Sequence, residues 1–323
     1  MSERYWLGMD MGSISANLAL IGEGGEMRFD LYRRVDGDPL RAARAALAEA
    51  RTALPTDAIV AGAGATGSAR HLIGVAIGAD TIKNEISAHA CAAVRLHPDV
   101  RTVFEIGGQD SKATMIRDGV VVDFAMNLVC AAGTGSFLDA QAKRLALSIE
   151  DLSAQAMRSV SPTPIAGRCT VFAESDMIHK QQVGHRQEDI VMGLCLAMAR
   201  NFLNNVCAGK EIAPPILLQG GVSANLGIRR AFEELLGQPV IVPRHAMVMG
   251  AYGAALLARA ANPAPTRFRG FDVCEHHLHT RTFSCDDCAN RCEIVEILDG
   301  DSVVGRSGGR CGKWEGRQAG SER

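Results

Sequence analysis

The apolar residues near the N-terminus occur in short runs that are separated by turns containing glycine. The first run begins at Tyr5, the second covers 15–21 and the third covers 27–32. Apolar runs of this length between turn residues are typical of β-strands. The alanine-rich segment 41–54 instead has helical spacing, and the apolar residues of 58–64 predict one more buried strand.

The same order of elements begins again near Arg101. The sequence TVFEIGGQDSKATMIRDGVVVDFAMN predicts three strands joined by a Gly-Gly-x-Asp turn and an Asp-Gly turn. It parallels WLGMDMGSISANLALIGEGGEMRFDLY, which has an acidic–glycine turn after its first strand and a glycine turn after its second. An internal repeat with a period of roughly 100 residues predicts two duplicated α/β lobes that face one another.

The remaining sequence predicts the domain boundaries. Helical patterns dominate from Gly135 to about Gly209, two strand–helix segments follow, and the prolines after Asn262 indicate a linker. We therefore expect an α/β protein with three parts. These parts are lobe I at 1–95 with a returning helix at about 246–261, lobe II at 96–245, and a cysteine-rich tail at 262–323.

Composition narrows the possible functional classes. The 323 residues are 47% hydrophobic and 22% charged, with a formal net charge of −2, as in an ordinary globular protein. This balance favours neither a nucleic acid nor a membrane surface as a partner. The N-terminus has no apolar signal-peptide region, and no apolar run reaches the roughly 18 residues that would span a bilayer, so a cytoplasmic protein is expected.

Ten cysteines are many for such a chain. In a reducing compartment they indicate metal or redox chemistry more than disulfides. Cys91, Cys195 and Cys207 lie in apolar, helix-like stretches and are predicted to be buried core thiols. Cys130 and Cys169 stand alone beside glycine-rich or charged turns, and the other five cysteines lie in the tail.

Three glycine turns offer phosphate-binding chemistry. In the first turn, glycines would let the backbone approach a phosphate, and Asp10 would hold Mg²⁺ through waters. The other candidates of this turn are Gly8, Gly12, Ser13 and Ser15. The second turn repeats the chemistry with Gly107, Gly108, Gln109, Asp110 and Lys112. The third turn, which would approach a ribose or base, contains Gly220, Gly221 and Val222.

Other interpretations of these turns stay open. An isolated turn of this kind is more typical of a simple hairpin, but two of the three lie at matching places in the repeat, which favours a nucleotide. The chain contains no Walker G-x-x-x-x-G-K-[ST] loop. The glycines of 62–67 fit the Rossmann spacing and follow a predicted strand, so a dinucleotide site there remains a minor alternative.

The turns resemble those of the actin-like ATPase fold, which actin, Hsp70-type chaperones and sugar kinases share. That resemblance implies two lobes that clamp ATP between paired phosphate loops. Asp10, Gly12 and Ser13 match the first loop of that fold. The residues that match the second loop and the adenosine motif are Gly107, Gly108, Gln109 and Asp110, and Gly220 and Gly221.

Longer segments resemble one group of these ATPases. EIGGQDSK, NLVCAAGTGSF and GRCTVFAESDMI are similar to the activators of 2-hydroxyacyl-CoA dehydratases and to the ATPase subunits of benzoyl-CoA reductase, over nearly all of 5–260. The resemblance implies a homodimer with one [4Fe–4S] cluster between the subunits. Each subunit would supply two cysteine ligands, at Cys130 and Cys169. Small residues after Cys130 leave space for a cluster, and a helix beginning there would stabilise its thiolates.

The resemblance also implies an oxygen-sensitive ATPase that couples hydrolysis to electron transfer. A ferredoxin or flavodoxin would supply a low-potential electron, and an iron–sulfur dehydratase or reductase component would receive it. Asp10, Gln109 and Asp110 are the expected catalytic residues, with Gln109 orienting the attacking water. Glu174 and Asp176 are either a solvated or helix-capping pair, or a link between the cluster region and the nucleotide.

Three alternatives to this function stay open. They are an ATP-driven reductase of a double-cubane-cluster or corrinoid protein, a small-molecule kinase of the same fold, and a non-catalytic nucleotide-binding module. A kinase would need no iron, and a passive module would not hydrolyse ATP.

The tail carries a second metal-binding pattern. Cys285, Cys288 and Cys292 are spaced C-x2-C-x3-C, with Cys274 upstream and Cys311 downstream. Further candidate ligands are His276, His277 and His279. The pattern predicts structural Zn²⁺ or a second iron–sulfur cluster. It resembles the stretch that follows the activator-like domain in larger fused proteins.

Overall fold

The computed structural model describes residues 3–127, 133–167 and 169–314. The chain divides into two compact units, one formed by Met1–Ala92 with Gly250–Arg323 and the other by Ala93–Met249. The sequence placed these boundaries near 95 and 245. Within the three described ranges, no helix is both long and apolar enough to cross a membrane.

The first unit opens with a five-stranded sheet. Its elements are β1 Arg4–Met11, β2 Ser15–Ile21, β3 Met27–Arg34, α1 Pro39–Thr52, β4 Ile59–Thr66, α2 Arg70–Ile77, β5 Thr81–Ile82 and α3 Glu85–Leu96. The strand order is β3-β2-β1-β4-β5. The first three strands pair antiparallel, and β4 and β5 continue the sheet in parallel.

The second unit repeats this arrangement. Its elements are β6 Thr102–Ile106, β7 Ser111–Arg117, β8 Val120–Met126, α4 Gly135–Arg144, α5 Ile149–Met157, α6 Thr170–Gln182, α7 Gln187–Asn205, β9 Ile216–Gln219, α8 Leu226–Leu236 and β10 Val240–Ile241. The sheet order β8-β7-β6-β9-β10 matches β3-β2-β1-β4-β5 strand for strand. The antiparallel and parallel pairings also match. The duplication predicted from the sequence is therefore confirmed.

The C-terminal part of the chain belongs to the first unit. It contains α9 Met249–Ala261 and a three-stranded antiparallel sheet of β11 Leu278–Ser284, β12 Glu293–Asp299 and β13 Ser302–Ser307. The sequence treats 262–323 as a separate module, whereas the described residues of this tail are part of the first compact unit.

The segment predicted to be a linker is anchored at Asp80. One carboxylate oxygen of Asp80 accepts hydrogen bonds from the Ala63 N–H, at 2.9 Å, and the Thr266 hydroxyl, at 2.7 Å. The other oxygen accepts one from the Arg267 N–H, at 2.7 Å. Because Ala63 belongs to β4, these bonds fasten the beginning of the tail to the first sheet.

Glycines bring α9 into direct contact with β1 and β4. A Cβ placed on Gly8 would lie 1.9 Å from the Ala251 carbonyl oxygen, and one on Gly64 would lie 2.2 Å from the Ala254 carbonyl oxygen. Only glycine permits so close an approach of backbone to backbone. Packing of α9 against β4 thus explains Gly64, one of the glycines in the run 62–67 whose spacing suggested a Rossmann loop.

Each unit has its own hydrophobic core. In the first unit, Asp38 caps the start of α1, and its carboxylate accepts a hydrogen bond from the Arg41 N–H at 2.9 Å. The helix then buries an alanine- and leucine-rich face in the core formed with β1, β2 and α2. In the second unit, the rings of Phe104, Phe202 and Phe232 have centroids 4.9–5.5 Å apart and join β6, α7 and α8.

Candidate functional site

Asp10 lies at the end of β1 in the first unit, and its side chain is buried. It pairs across the sheet with Asn17, whose amide nitrogen lies 3.4 Å from Asp10 Oδ2. A Cβ on Gly250 would come within 2.3 Å of Asp10 Oδ2, and one on Gly67 within 2.6 Å of Oδ1. The absence of a side chain at Gly67 and Gly250 leaves room for the carboxylate. The sequence suggested a different role for Gly67, as part of the Rossmann-like run 62–67, and none for Gly250.

The turn after Asp10 is a tight hairpin between β1 and β2. The Gly12 N–H donates to the Ser15 carbonyl oxygen at 2.9 Å, and Ser13 at the tip is exposed. A Cβ on Gly12 would meet nothing closer than 3.4 Å. Gly8, which the sequence grouped with this turn, lies within β1 against α9. A side chain would therefore have space at Gly12 but not at Gly8.

The second turn is held by a buried ammonium group. Lys112 Nζ lies 2.9 Å from Glu105 Oε2 and 2.9 Å from Asp110 Oδ2, and both Lys112 and Glu105 are buried. The Gly107 N–H closes the turn by donating to the Asp110 carbonyl oxygen at 2.9 Å. Gln109 is exposed at the tip. Lys112 therefore fixes the position of the turn's carboxylate.

The beginning of α4 is hydrogen-bonded to this second turn. The Gly135 N–H donates to the Gly107 carbonyl oxygen, and the Ser136 N–H donates to the Gly108 carbonyl oxygen, each at 2.8 Å. The Ser136 hydroxyl also donates to the Gly108 carbonyl oxygen. Three hydrogen bonds thus join the first residues of α4 to the glycine turn.

The third turn packs against the same helix start. Gly220 has a φ of +85°, and a Cβ there would lie 2.5 Å from the Ile106 carbonyl oxygen. A Cβ placed on Gly135 would lie 3.1 Å from Cγ2 of Val222. The turns at 107–110 and 220–223 and the start of α4 therefore form one packed cluster within the second unit.

A buried hydroxyl lies beside the second turn. Ser111 Oγ is fully buried, and it has no hydrogen-bond partner among the residues that the structure describes. The backbone of Ser111 is paired with Asn127 through bonds of 2.7 Å and 3.0 Å. The sequence grouped Ser111 with the second turn but predicted no separate role for it, because a serine beside a turn carries no signal of its own.

Cys169 is the residue that precedes α6, and its side chain is partly buried. The segment before it is tied down by three hydrogen bonds. The Ala166 N–H donates to Asp176 Oδ2 at 2.9 Å, and the Asn201 amide donates to the Gly167 carbonyl oxygen at 2.9 Å. The third bond runs from Arg200 to the carbonyl oxygen of Ile165 at 3.3 Å. The backbone leading to Cys169 is therefore fixed against α6 and α7.

Two apolar side chains next to Cys169 are exposed. Val171 and Phe172, in the first turn of α6, are 66% and 65% exposed. Cys130, the other cysteine that the resemblance singled out, lies in 128–132, outside the described residues.

Glu174 and Asp176 have different partners. Glu174 Oε1 lies 2.8 Å from Arg144 Nη1, which joins the middle of α6 to the last residue of α4. Asp176 instead holds the segment before Cys169, as described above. The two carboxylates are not a solvated pair, and each joins α6 to a neighbouring element.

Asp189 fixes the loop that leads toward Cys169. Its Oδ1 accepts hydrogen bonds from the Ser159 hydroxyl at 2.8 Å and from the Val160 and Ser161 N–H groups at 3.1 Å and 3.0 Å. The Ser161 N–H and then the Ser159 hydroxyl lower the pKa of Asp189 below its ordinary value.

The remaining described cysteines are Cys91, Cys195 and Cys207, which the sequence predicted to be core thiols, and the five cysteines of the tail. Cys195 and Cys207 are buried in the core, and burial raises the pKa of each thiol to about 12, as expected of core thiols. Cys91 is partly buried, and burial raises its pKa as well. In the described part of the tail, no three cysteine sulfur atoms lie within 4.8 Å of one another.

Comparison with known proteins places this geometry in a family. The sequence profile of the BadF/BadG/BcrA/BcrD ATPase family matches residues 7–258. A relative named as the (R)-2-hydroxyglutaryl-CoA dehydratase activating ATPase of Acidaminococcus fermentans is 34% identical over 255 residues, which cover 79% of this chain and 96% of the relative. The activator of lactoyl-CoA dehydratase of Anaerotignum propionicum is 37% identical over 184 residues, 57% of this chain and 71% of that protein.

A solved structure has the same fold. The activator of 2-hydroxyisocaproyl-CoA dehydratase from Clostridium difficile, with bound ADPNP, superposes with a TM-score of 0.72 at 30% identity over 80% of this chain and 95% of that one. The predicted fold of two actin-like ATPase lobes is confirmed. The family match covers most of the chain and includes all three glycine turns, and the chain belongs to the BadF/BadG/BcrA/BcrD ATPase family.

Proposed function

We propose that this protein is an ATP-dependent activator that passes a low-potential electron to an iron–sulfur dehydratase or reductase component. One structural observation carries the proposal. Contacts run without a break from the Gly107–Gly108 turn along α4, across the Arg144–Glu174 pair, and along α6 to Cys169. Because helices move as rigid elements, a displacement of the turn by a nucleotide would be transmitted to Cys169.

The names of the relatives support a dehydratase or reductase component as the partner. Several similar proteins are activators of 2-hydroxyacyl-CoA dehydratases, and another is a subunit of benzoyl-CoA reductase. A structural neighbour holds ADPNP, an ATP analogue. We infer the same class of partner for this chain, with a ferredoxin or flavodoxin as the upstream electron donor.

The nucleotide would be bound largely by backbone groups. The N–H groups of Gly12 and Gly107 close their own turns, so the phosphate oxygens would be bound by neighbouring N–H groups, such as those of Ser13 and Gly108. The Asp10 carboxylate would hold Mg²⁺ through waters, because that ion sheds its hydration reluctantly. Gln109, exposed at the tip of its turn, would orient the attacking water, and Ser111 supplies a hydroxyl without a partner nearby. Hydrolysis then depends on positioning and charge neutralisation.

The residues around Cys169 fit the ligand set of a shared [4Fe–4S] cluster. Ala166 and Gly167, just before it, are fixed by hydrogen bonds, and the positive end of the α6 dipole favours a negatively charged ligand group at Cys169. Cys130 would be the second ligand from this chain. A cluster with four thiolates then needs a second subunit, and the exposed Val171 and Phe172 suit a contact with another copy. The cluster, when bound, supplies one-electron chemistry.

Anaerobic purification of the Cys169→Ser variant tests this proposal. We expect the variant to lose the iron shared between subunits and to sediment as a monomer, while it still binds ATP. Cys91→Ser is the matched control, since Cys91 is a partly buried thiol remote in sequence from the proposed site, and it should keep the wild-type iron content. A further measurement is electron paramagnetic resonance of the reduced wild-type protein, whose signal should change on addition of ATP. Wild-type iron content in Cys169→Ser, or a signal insensitive to ATP, would contradict the proposal.

A further inference from the structure

The small C-terminal sheet has two ends, and its register shows which tail cysteines share an end. Ser284, the last residue of β11, pairs with Glu293, the first residue of β12. At the other end of the same two strands, Leu278 pairs with Asp299. Seven residues of strand separate these ends, which is about 20 Å at 3.3 Å per residue.

Cys285 and Cys292 continue the first of these pairs. The Cys285 N–H donates to the Cys292 carbonyl oxygen at 2.8 Å. Residues that lie directly opposite each other in an antiparallel pair project their side chains to the same face. The loop between them contains Cys288, whose carbonyl oxygen accepts from the Arg291 N–H at 3.1 Å and closes a turn. Three cysteines therefore lie within one short loop at this end of the sheet.

Cys311 reaches the same end from the third strand. Ser307, the last residue of β13, pairs with Val295 near the beginning of β12. The chain then crosses the end of the sheet, because a Cβ on Gly308 would lie 2.6 Å from the Glu293 carbonyl oxygen. The crossing continues to β11, where the rings of Trp314 and Phe283 lie 5.2 Å apart edge to face.

An ion pair joins this crossing segment to the cysteine loop. Lys313 contacts the carboxylate of Asp287, which lies between Cys285 and Cys288 in the sequence. Cys311 precedes Lys313 by two residues, so it lies in the segment that this ion pair holds against the cysteine loop. The ends of the 308–314 segment are thus both fixed on the cysteine-bearing end of the sheet.

The other candidate ligands of the tail lie at the opposite end. Cys274 precedes β11, packs against the core of the first unit, and accepts a hydrogen bond from Arg44 Nε at its carbonyl oxygen, 3.0 Å away. The His276 ring contacts the carboxylate of Asp299. His279 pairs with Leu298 near that same end. The topology separates these residues from the loop.

We propose that Cys285, Cys288, Cys292 and Cys311 are the ligands of one metal centre, and that Cys274 and the three histidines are not. Four thiolates bind either Zn²⁺ or an iron–sulfur cluster. The sulfur atoms would have to move closer to one another to bind one metal. All four cysteines lie in segments that flank strands and not within the strands themselves. Two basic residues near these cysteines, Arg291 and Lys313, pair with Asp286 and Asp287 of the same loop.

The test uses full-length protein in which Cys130→Ser and Cys169→Ser have removed the ligands assigned under the proposed function. Any thiolate-bound metal that remains then belongs to another site. Cys285→Ser with Cys292→Ser, and Cys311→Ser alone, are added to this background, and Cys274→Ser is the matched control. Iron, acid-labile sulfide and zinc are measured per chain after anaerobic purification. Metal-free protein is then titrated with Co²⁺, which reports thiolate ligands by its charge-transfer absorption.

We expect the background protein to keep roughly one zinc ion or roughly four iron ions per chain, and the first two sets of added variants to lose them. Cys274→Ser should keep the metal. Zinc without sulfide identifies a zinc centre, and iron with sulfide identifies a cluster; both support the site. Absence of metal and of Co²⁺ absorption in the background, equal metal in the tail variants, or equal loss in Cys274→Ser would overturn the proposal.

Two features keep this test decisive. Cys311→Ser changes one residue outside the β11–β12 hairpin, and circular dichroism shows whether each variant is folded. The outcome is also independent of the shared cluster at Cys169. If that cluster is absent from the wild-type protein, the tail metal is still measured directly.

Discussion

The N–H of Gly135, the first residue of α4, donates a hydrogen bond to the carbonyl oxygen of Gly107 over 2.8 Å. This bond joins a glycine turn suited to phosphate with the helix that follows the Cys130 segment in sequence. It accounts for the glycine at 135, because a Cβ there would crowd the side chain of Val222, at 3.1 Å, and the Gly107 carbonyl oxygen, at 3.2 Å.

Replacement of Gly135 should weaken nucleotide use more than it weakens the fold. In Gly135→Val the added methyl groups would push apart the turns at 107–110 and 220–223. We expect kcat/KM for ATP to fall about tenfold or more, since small displacements of positioning groups are costly. Steady-state ATPase assays measure this. Lys143→Ala, at an exposed position of the same helix, is the control, and equal activity in the two variants would contradict the prediction.

The Arg144–Glu174 pair should matter for coupling and not for stability. Its side chains are 50% and 35% exposed, and exposed pairs contribute only about 0–1 kcal/mol. Glu174→Gln should therefore change Tm by a degree or two at most, while the ATP-dependent change in the paramagnetic signal falls several-fold. Glu211→Gln, which breaks the exposed pair with Arg117, is the matched control. A Glu174→Gln protein with the full ATP response would show that the contact does not transmit the change.

Replacement by alanine should lower the stability of the protein at Gly8 and weaken ATP binding at Gly12. A Cβ at Gly8 would meet backbone of α9 at 1.9 Å, so Gly8→Ala should destabilise the protein by about 3 kcal/mol or more, with or without nucleotide. A Cβ at Gly12 meets nothing within 3.4 Å, so Gly12→Ala should keep the fold and raise KM for ATP. Urea unfolding and ATPase assays of both variants give the comparison. A stable Gly8→Ala protein with weakened ATP binding would instead support the nucleotide contact suggested by the sequence.

Asp189 should make stability depend on pH at the acid end. Its folded-state pKa is lowered by the Ser161 N–H and the Ser159 hydroxyl, so the stabilisation is complete above the unfolded pKa of about 3.9 and is lost as the pH falls through the folded value. The Tm of Asp189→Asn should be a few degrees below wild type at pH 5 to 7, and the gap should shrink below about pH 4.

Asp57→Asn, at an exposed carboxylate, provides the baseline for these melting curves. A gap that widens as the pH falls would mean that the hydrogen bonds to Asp189 do not favour the ionised form. Hydrogen exchange in the 159–163 loop offers an independent measure, because the variant should exchange faster there.

Much of the fold was predictable because local patterns specify it. The apolar run 15–21 coincides with β2, and the helix expected at 41–54 is found at Pro39–Thr52, displaced by the cap at Asp38. The duplication was visible as a repeat of turn chemistry, and the strand orders of the two sheets confirm it. The glycine turns of the candidate site were also predictable, because glycine clusters between strands are visible in a sequence.

Other parts of the site have no local signal. Gly67 and Gly250 lie far from Asp10 in the sequence, and only the packing of β4 and α9 brings them to its carboxylate. Lys112 was expected to meet a nucleotide, and the structure shows its ammonium group between Glu105 and Asp110. The partners of Glu174 and Asp176 depend on how α6 lies against α4 and the segment before Cys169.

By itself, the sequence determined the elements, their duplication, the glycine turns and the presence of clustered cysteines, since each of these follows from residue type and spacing along the chain. Only the tertiary structure decided which residues that are distant in the sequence lie near one another. Strand register brings Cys285 opposite Cys292 at one end of the small sheet, and Cys274 precedes β11 at the other end. Helix packing joins the Gly107 turn to Cys169 through α4 and α6. The physical reason is that register and packing are properties of the whole core, which no short segment of the chain specifies.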